Sequence, residues 1–190
     1  MVRWSATYIR QIKIKASFFN KTYSCHILWS IIIFEIEKGC EKMKQEVISK
    51  AEEIIHSKAG FKDKLGMEGY VTIALIDENG YPTASTYVII KADGIKWLTF
   101  GTGSDRDIVK RINKNNRGSV CINSTDFNIT LVGTFEILTD PIIKKEMWIP
   151  NSAMDNHWNG PDDPQFCLLR FTTERYNLFV GFKEAKGTLK

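Results

Sequence analysis

The spacing of apolar positions changes period several times along the chain, and each change predicts an element. Val47, Ile48, Ala51, Ile54 and Ile55 recur three and four residues apart. That spacing predicts a helix over 44–58 with one apolar face, ended by Ala59-Gly60. The pattern then shortens. Residues 69–76 read as a strand, Asp77-Glu78-Asn79-Gly80 as a tight turn in which Asn-Gly supplies positive φ, and 82–90 as the returning strand. Ala92-Asp93-Gly94 makes a second turn and 95–100 a third strand. A short helix over 105–116 places Ile108, Val109 and Ile112 inward. Strands follow at 119–123 and 128–138. Asp140-Pro141 then reads as an N-cap with proline at the first helical position, opening a helix that carries Ile142, Ile143, Met147 and Trp148. A loop rich in Asn, Asp, Gly and Pro occupies 151–164. Strands at 166–172 and 176–182 close the pattern, and the polar tail after Lys183 is expected to be loose. Seven short strands joined by turns, with few helices between them, predict an antiparallel barrel and disfavour a doubly wound parallel sheet.

The first 42 residues fit this scheme poorly. They hold seven of the 26 basic and three of the 22 acidic residues, and so the whole net charge of +4. A basic stretch leads into Ile27-Leu28-Trp29-Ser30-Ile31-Ile32-Ile33-Phe34, an order that resembles a signal peptide. The run is short, however, charged residues follow it, and no small-residue cleavage site comes after it. The codons for Lys38-Gly39 form a purine-rich tract just before Met43, where a bacterial ribosome-binding site would lie. The expectation is therefore that 1–42 is translated leader or a targeting extension, and that 43–190 is the domain.

The remainder of the chain is neutral and lacks the basic footprint of a nucleic-acid binder. No apolar run approaches the roughly 18–20 residues of a membrane-spanning helix. Cys25, Cys40, Cys121 and Cys167 form neither a paired-ligand spacing nor a disulfide framework. These features point to a cytoplasmic protein. His26, His56 and His157 have no ligand partner at helical spacing. His56 reads as a solvated helix residue, and His157 sits on the polar loop. Cys121 and Cys167 lie within apolar strands and read as buried, inert thiols. No nucleophile elbow, Walker loop or dinucleotide fingerprint occurs.

Chemistry concentrates in Trp97-Leu-Thr-Phe-Gly-Thr-Gly-Ser-Asp-Arg106, a strand that runs into a small loop at a helix start. One reading is an anion cup. Backbone N–H groups at 104–107 point outward, Thr102 and Ser104 donate hydroxyl bonds, Arg106 clamps phosphate oxygens, and Lys110 or Arg111 adds charge. The other reading is an ordinary N-cap at Ser104 followed by a solvated arginine.

The ordered set Gly80-Tyr-Pro-Thr-Ala-Ser-Thr-Tyr87, Trp97 to Arg106, Leu131-Val-Gly-Thr-Phe-Glu-Ile-Leu-Thr-Asp140, Lys144-Lys-Glu-Met-Trp148 and Gly160-Pro-Asp-Asp-Pro164 resembles the pyridoxamine 5'-phosphate oxidase-like family, in its general-stress-protein subgroup. The likeness covers about 44–182. It implies a mainly β fold with a few helices: a six-stranded antiparallel split β-barrel that forms a homodimer and holds FMN between subunits. It further implies that Ser85, Thr86 and Tyr87 line the flavin and that Thr99, Phe100, Thr102, Ser104 and Arg106 approach its ring or phosphate. Asn128 would stand where oxidase relatives place a glutamine near the ring, and Trp148 would pack near the groove or in the core.

Two departures bear on that site. Oxidase relatives carry arginine at the position of Ser85, and a Ser-Arg-Lys run where this chain has Ser104-Asp105-Arg106, so an inward Asp105 would repel phosphate. The arginine and tryptophan signature that closes the vitamin site of true oxidases does not follow Thr172, so that activity is not expected. The resemblance implies an FMN-dependent oxidoreductase acting on a small molecule. Its alternatives are a flavin sensor or carrier without turnover, or a barrel holding haem or a deazaflavin.

Overall fold

In the computed structural model, residues 25–60 and 69–189 are described. The chain divides into two units, residues 1–46 and 47–190. The described part of the first unit is helical, exposes Trp29, Ile31, Ile33 and Phe34, and sets the Lys38 ammonium over the Phe34 ring. Helix α1 spans Cys25–Lys58, so it begins well before the expected start at 44. Pairs one turn apart sustain it there, such as the Gln45 amide donating to Glu41 at 2.8 Å. The reading of His26 falls on a side chain outside those described.

The second unit is a closed barrel. Its strands are β1 (Tyr70–Ile76), β2 (Pro82–Asp93), β3 (Trp97–Gly103), β4 (Arg117–Asn123), β5 (Phe127–Leu138), β6 (Phe166–Val180) and β7 (Lys183–Thr188). The order β3-β2-β1-β4-β5-β6 closes through an added β3–β6 ladder, every pair being antiparallel. Closure removes the exposed sheet edges that a flat sheet would offer. Helix α2 (Asp107–Lys114) buries Ile108, Val109 and Ile112, and the last turns of α1 bury Val47, Ala51 and Ile55, all in the same core. Helix α3 (Pro141–Met147) starts as expected: the Asp140 carboxylate accepts N–H bonds from Ile142 and Ile143. A 3-10 turn follows at Ala153–Asn156.

Two expectations at the C-terminal end are corrected. The closing strands are one strand, β6, with a bulge: Val132 pairs with Arg175 and Gly133 with Thr173, which leaves Glu174 as the extra residue. The bulge shifts the inward phase from Cys167, Leu169 and Phe171 to Tyr176, Leu178 and Val180. That change of phase is why the pattern reads as two strands. The tail is also ordered as β7. It pairs with β6 across a two-residue turn, Gly181-Phe182, with both φ values positive (56° and 62°), and it buries Ala185.

Behind β3 and β6 lies a second, smaller core. Ile90, Met147, Met154, Phe166 and Leu168 are buried together, with Trp148 and Trp158 packed against them. The rings of Trp148 and Trp158 meet Phe166 at 5.3 and 4.9 Å. This aromatic shelf positions the loop that borders the candidate site.

Candidate functional site

The β2–β3 hairpin borders two adjoining cavities. One, of about 470 Å³, is lined by Thr102, Gly103, Asp105, Arg106 and Gln165 at one end. The other, of about 230 Å³, is lined by Tyr70, Val88, Ala153 and Met154. Both share Thr86, Tyr87, Gly101, His157 and Trp158, so they form one groove of the size that small-ligand sites usually have. Its ends differ. The first holds a guanidinium, a carboxylate and a hydroxyl, while the second holds no formally charged side chain.

The floor depends on glycine. A Cβ at Gly101 would press on Ile90 and Phe166 at 3.2 Å, and one at Gly103 would stand 2.9 Å from the Asp105 carboxylate. Tyr87 lines the groove and packs partly against the barrel core, its ring edge-on to Phe100 at 6.3 Å. Burial pushes its phenol pKa up, opposed by a hydrogen bond with Thr102 and by the charges of Arg106 and Arg111. Tyr87 therefore presents a neutral hydroxyl at neutral pH. The shelf loop supplies the wall. The rings of His157 and Trp158 meet at 5.6 Å, tilted by 57°, and Trp158 rests on Phe166. That loop is fixed by a capping box at Ser152–Asp155 and by Asp163, whose carboxylate accepts the N–H groups of Asn159 and Gln165 at 2.9 and 2.8 Å. Buried Lys144 donates to the Asp163 carbonyl at 2.8 Å and ties the loop to α3.

The residues singled out from sequence separate into groups. Thr86, Tyr87, Thr102 and Arg106 are brought together in the groove. Ser85 and Ser104 are exposed but do not line it. Thr99 and Phe100 are fully buried and present no side chain to it. Phe100 points into the barrel, and the Thr99 hydroxyl accepts from Arg170 at 3.0 Å. Asn128 lies on another face, where its amide oxygen accepts from the Cys121 thiol at 3.3 Å. Trp148 belongs to the shelf rather than the groove.

The cup of backbone amides is also smaller than expected. Ser104 N–H donates to Gln165 at 2.7 Å and Arg106 N–H to Gly103 at 3.2 Å, so two of the four amides at 104–107 are used within the fold. Arg106, not Ser104, is the N-cap of α2, and its side chain makes no capping bond. Asp105 lines the groove. Cys167 is buried and burial pushes its thiol pKa up, whereas Cys121 is half-buried and faces outward, unlike the buried thiol expected. His56 is exposed in the last turn of α1. Sequence reasoning missed Trp158 and Gln165.

Among the described residues no group of three His, Cys, Asp or Glu side chains is placed to hold a metal, and no helix is long and apolar enough to cross a membrane.

A closed six-stranded antiparallel barrel with a groove along one hairpin is the architecture of the split-barrel proteins. The sequence model of the pyridoxamine 5'-phosphate oxidase family matches residues 58–179, and the chain belongs to that family. Solved structures agree on the fold. A protein from Clostridium acetobutylicum related to general stress protein 26 of B. subtilis shares 26% identity with a TM-score of 0.63, covering 76% of this chain and 95% of that one. A haem-binding protein from Mycobacterium smegmatis (15%, TM-score 0.57) covers 75% of this chain and 57% of its own. An FMN-binding protein from Nostoc punctiforme related to pyridoxamine 5'-phosphate oxidase (14%, TM-score 0.50) covers 77% and 94%. No curated protein sequence matches this chain.

Proposed function

We propose that this chain is an FMN-dependent oxidoreductase of the general-stress-protein type, acting on a small molecule. The observation that carries the reading is the polarity of the groove: a charged, hydroxyl-bearing end and an aromatic, uncharged end joined over a glycine floor. That is the donor set a flat ring with a phosphorylated tail requires. Arg106 and Thr102 would hold the phosphate end. Thr86 and the neutral Tyr87 hydroxyl would meet polar ring or ribityl atoms, and Trp158 would cover one ring face. FMN, when bound, supplies the hydride and electron chemistry, while the protein orients the ring and excludes water from it. The membership in the family and the FMN-binding neighbour support the same reading.

The groove is open along β2, and we propose that a second copy completes it. Residues that share the outward face of β2, β1, β4 and β5 by register are Ala84, Thr86, Thr72, Ala74, Ser119, Cys121, Thr130 and Val132. None of these eight is charged; the charged residues in phase with them, Arg117 and Glu136, lie nearer the strand ends, and Thr86 also lines the groove. A central patch of small uncharged residues with charges at its margin suits an isologous pairing. Asn128 borders this face through its bond with Cys121, so a partner would be the route by which it reaches a flavin.

Titration of the purified full chain with FMN, followed by visible absorbance, tests the cofactor. Saturable binding, bleaching under a nicotinamide donor and recovery in air are expected. Binding without bleaching would favour a sensor or carrier. Sedimentation of Ala74→Arg tests the pairing: monomers that lose FMN are expected, and a dimer that keeps it would refute this face. His157 favours one second reading, because an exposed imidazole in the groove is a side chain that would hold a haem iron if haem were bound. A Soret band on haem addition that His157→Ala abolishes would establish it.

A further inference from the structure

The charged end of the groove carries two opposite charges side by side. Arg106 Nε stands 4.0 Å from Asp105 Oδ1, and both side chains are about three-quarters exposed (73% and 75%). The carboxylate does not turn away from the groove. It leans back over Gly103, so that a Cβ there would stand 2.9 Å from its oxygen. Its field reaches the Cys167 thiol, on the β6 residue paired with Thr102 beneath the groove. The nearby amides of Ser104 and Arg106 already bond within the fold. Among the lining residues a phosphate monoester entering this end meets one cation, one anion and hydroxyl groups, and the Arg111 charge also acts on Tyr87.

We propose that Asp105 is a specificity residue of the groove: by offsetting Arg106 it makes the groove nearly indifferent to the ligand's phosphate, so that FMN is held as an exchangeable ligand, little more tightly than its unphosphorylated form. The proposal rests on the FMN reading above. It differs from that reading in locating affinity at the ring end, on Trp158 and Tyr87, rather than at the phosphate. At the separations across this turn, a carboxylate and a phosphate dianion in a partly hydrated site repel enough to change affinity about tenfold, and salt screens the effect.

The test titrates the full chain and its Asp105→Asn variant with FMN and with riboflavin, read by flavin fluorescence at low and at physiological ionic strength. For the unmodified protein, the two dissociation constants are expected to agree within about threefold. Asp105→Asn is expected to tighten FMN about tenfold at low salt, to leave riboflavin unchanged, and to lose most of that gain as salt rises. An unmoved FMN-to-riboflavin ratio in the variant overturns the role of Asp105 and leaves the FMN reading standing. A preference of the unmodified protein for FMN of about a hundredfold or more does the same. If neither flavin binds either protein, both readings fall. Because Asp105 is exposed, an unchanged melting temperature is expected and verifies that the variant is folded.

Discussion

Phe171, fully buried in the middle of the barrel, and Trp158, half-buried at the edge of the groove, both pack against aromatic rings, but different things hold them in place. Phe171 lies on β6, between ladder partners Leu98 on β3 and Phe135 on β5, and its ring meets that of Phe135 at 4.8 Å. It moves only if a closed ring of six strands opens. Trp158 lies on a loop. It is held by contact with Phe166 and by local devices: the Ser152 cap, the Asp163 carboxylate and the Lys144 clamp. The barrel is thus stabilised as a whole, and the shelf piece by piece. The groove takes its floor from the first and its wall from the second. A wall able to loosen without the floor is what the proposed exchange of flavin would need.

The largest effect should come from breaking the barrel where backbones approach most closely. Gly133 sits at the β5–β6 bulge, and a Cβ there would run into the carbonyl oxygen of Thr172. Backbone cannot yield as a side-chain tip does. Gly133→Ala is expected to cost roughly 3 kcal/mol or more and to lower the melting temperature by about 6–12 °C, with all strands losing hydrogen-exchange protection together. A variant that melts normally would show that the bulge can relax, and would weaken the contrast drawn between barrel and shelf.

Trp158→Ala should have a smaller and more local effect. A half-buried tryptophan packed on one ring contributes about 2 kcal/mol, less than a fully buried one. Exchange protection is expected to fall across 153–165 and to persist in β1 to β6, and flavin binding to weaken about tenfold. If the strands lose protection as well, the shelf is part of the barrel's cooperative unit and the two regions are not separable.

How much of this was legible in the sequence follows the same division. Period-2 alternation marked β1, β4 and β5, because one face of each is barrel interior and the other is not. The turn at 77–80 was readable because its chemistry is local: Asp77 accepts the N–H groups of Asn79 and Tyr81 at 2.9 Å, and Gly80 takes φ 86°. β6 was misread because the extra residue Glu174 reverses the inward phase midway. β7 was missed because Ala185 alone buries an apolar side chain along it, and because Phe182, at positive φ, is a residue that turn rules do not anticipate. Of the residues that the order of motifs singled out, Thr86, Tyr87, Thr102 and Arg106 line the groove. Thr99 and Phe100 are buried away from it, because resemblance locates a strand but not which face each side chain takes. Trp158 and Gln165 sit on an irregular loop with no period to read. Ser152-x-x-Asp155 and Asp163 signal that such a loop is capped, and say nothing of where it points.

The smallest expected effect separates the two regions by pH. The N–H groups of Asn159 and Gln165 hold the Asp163 carboxyl below the usual carboxylate range, and the Lys144 charge adds to this. A depressed folded-state pKa means that the ionised form stabilises the fold. That contribution is fully present above the unfolded-state value of about 3.9 and is lost as pH falls through the depressed value. Among the described residues no carboxylate is buried in the barrel interior, and the other carboxyl held low, Asp107, is paired with Lys110 on α2 and not with the shelf. Tryptophan fluorescence of the full chain is expected to report a loosening at acid pH, below about 4, before far-ultraviolet circular dichroism reports loss of strands. Asp163→Asn keeps an oxygen for one of the two N–H groups and removes the charge. It should abolish the early fluorescence step and leave the later loss of strands in place. A step that survives in the variant would assign it to another carboxylate and remove Asp163 from the set of devices that hold the wall.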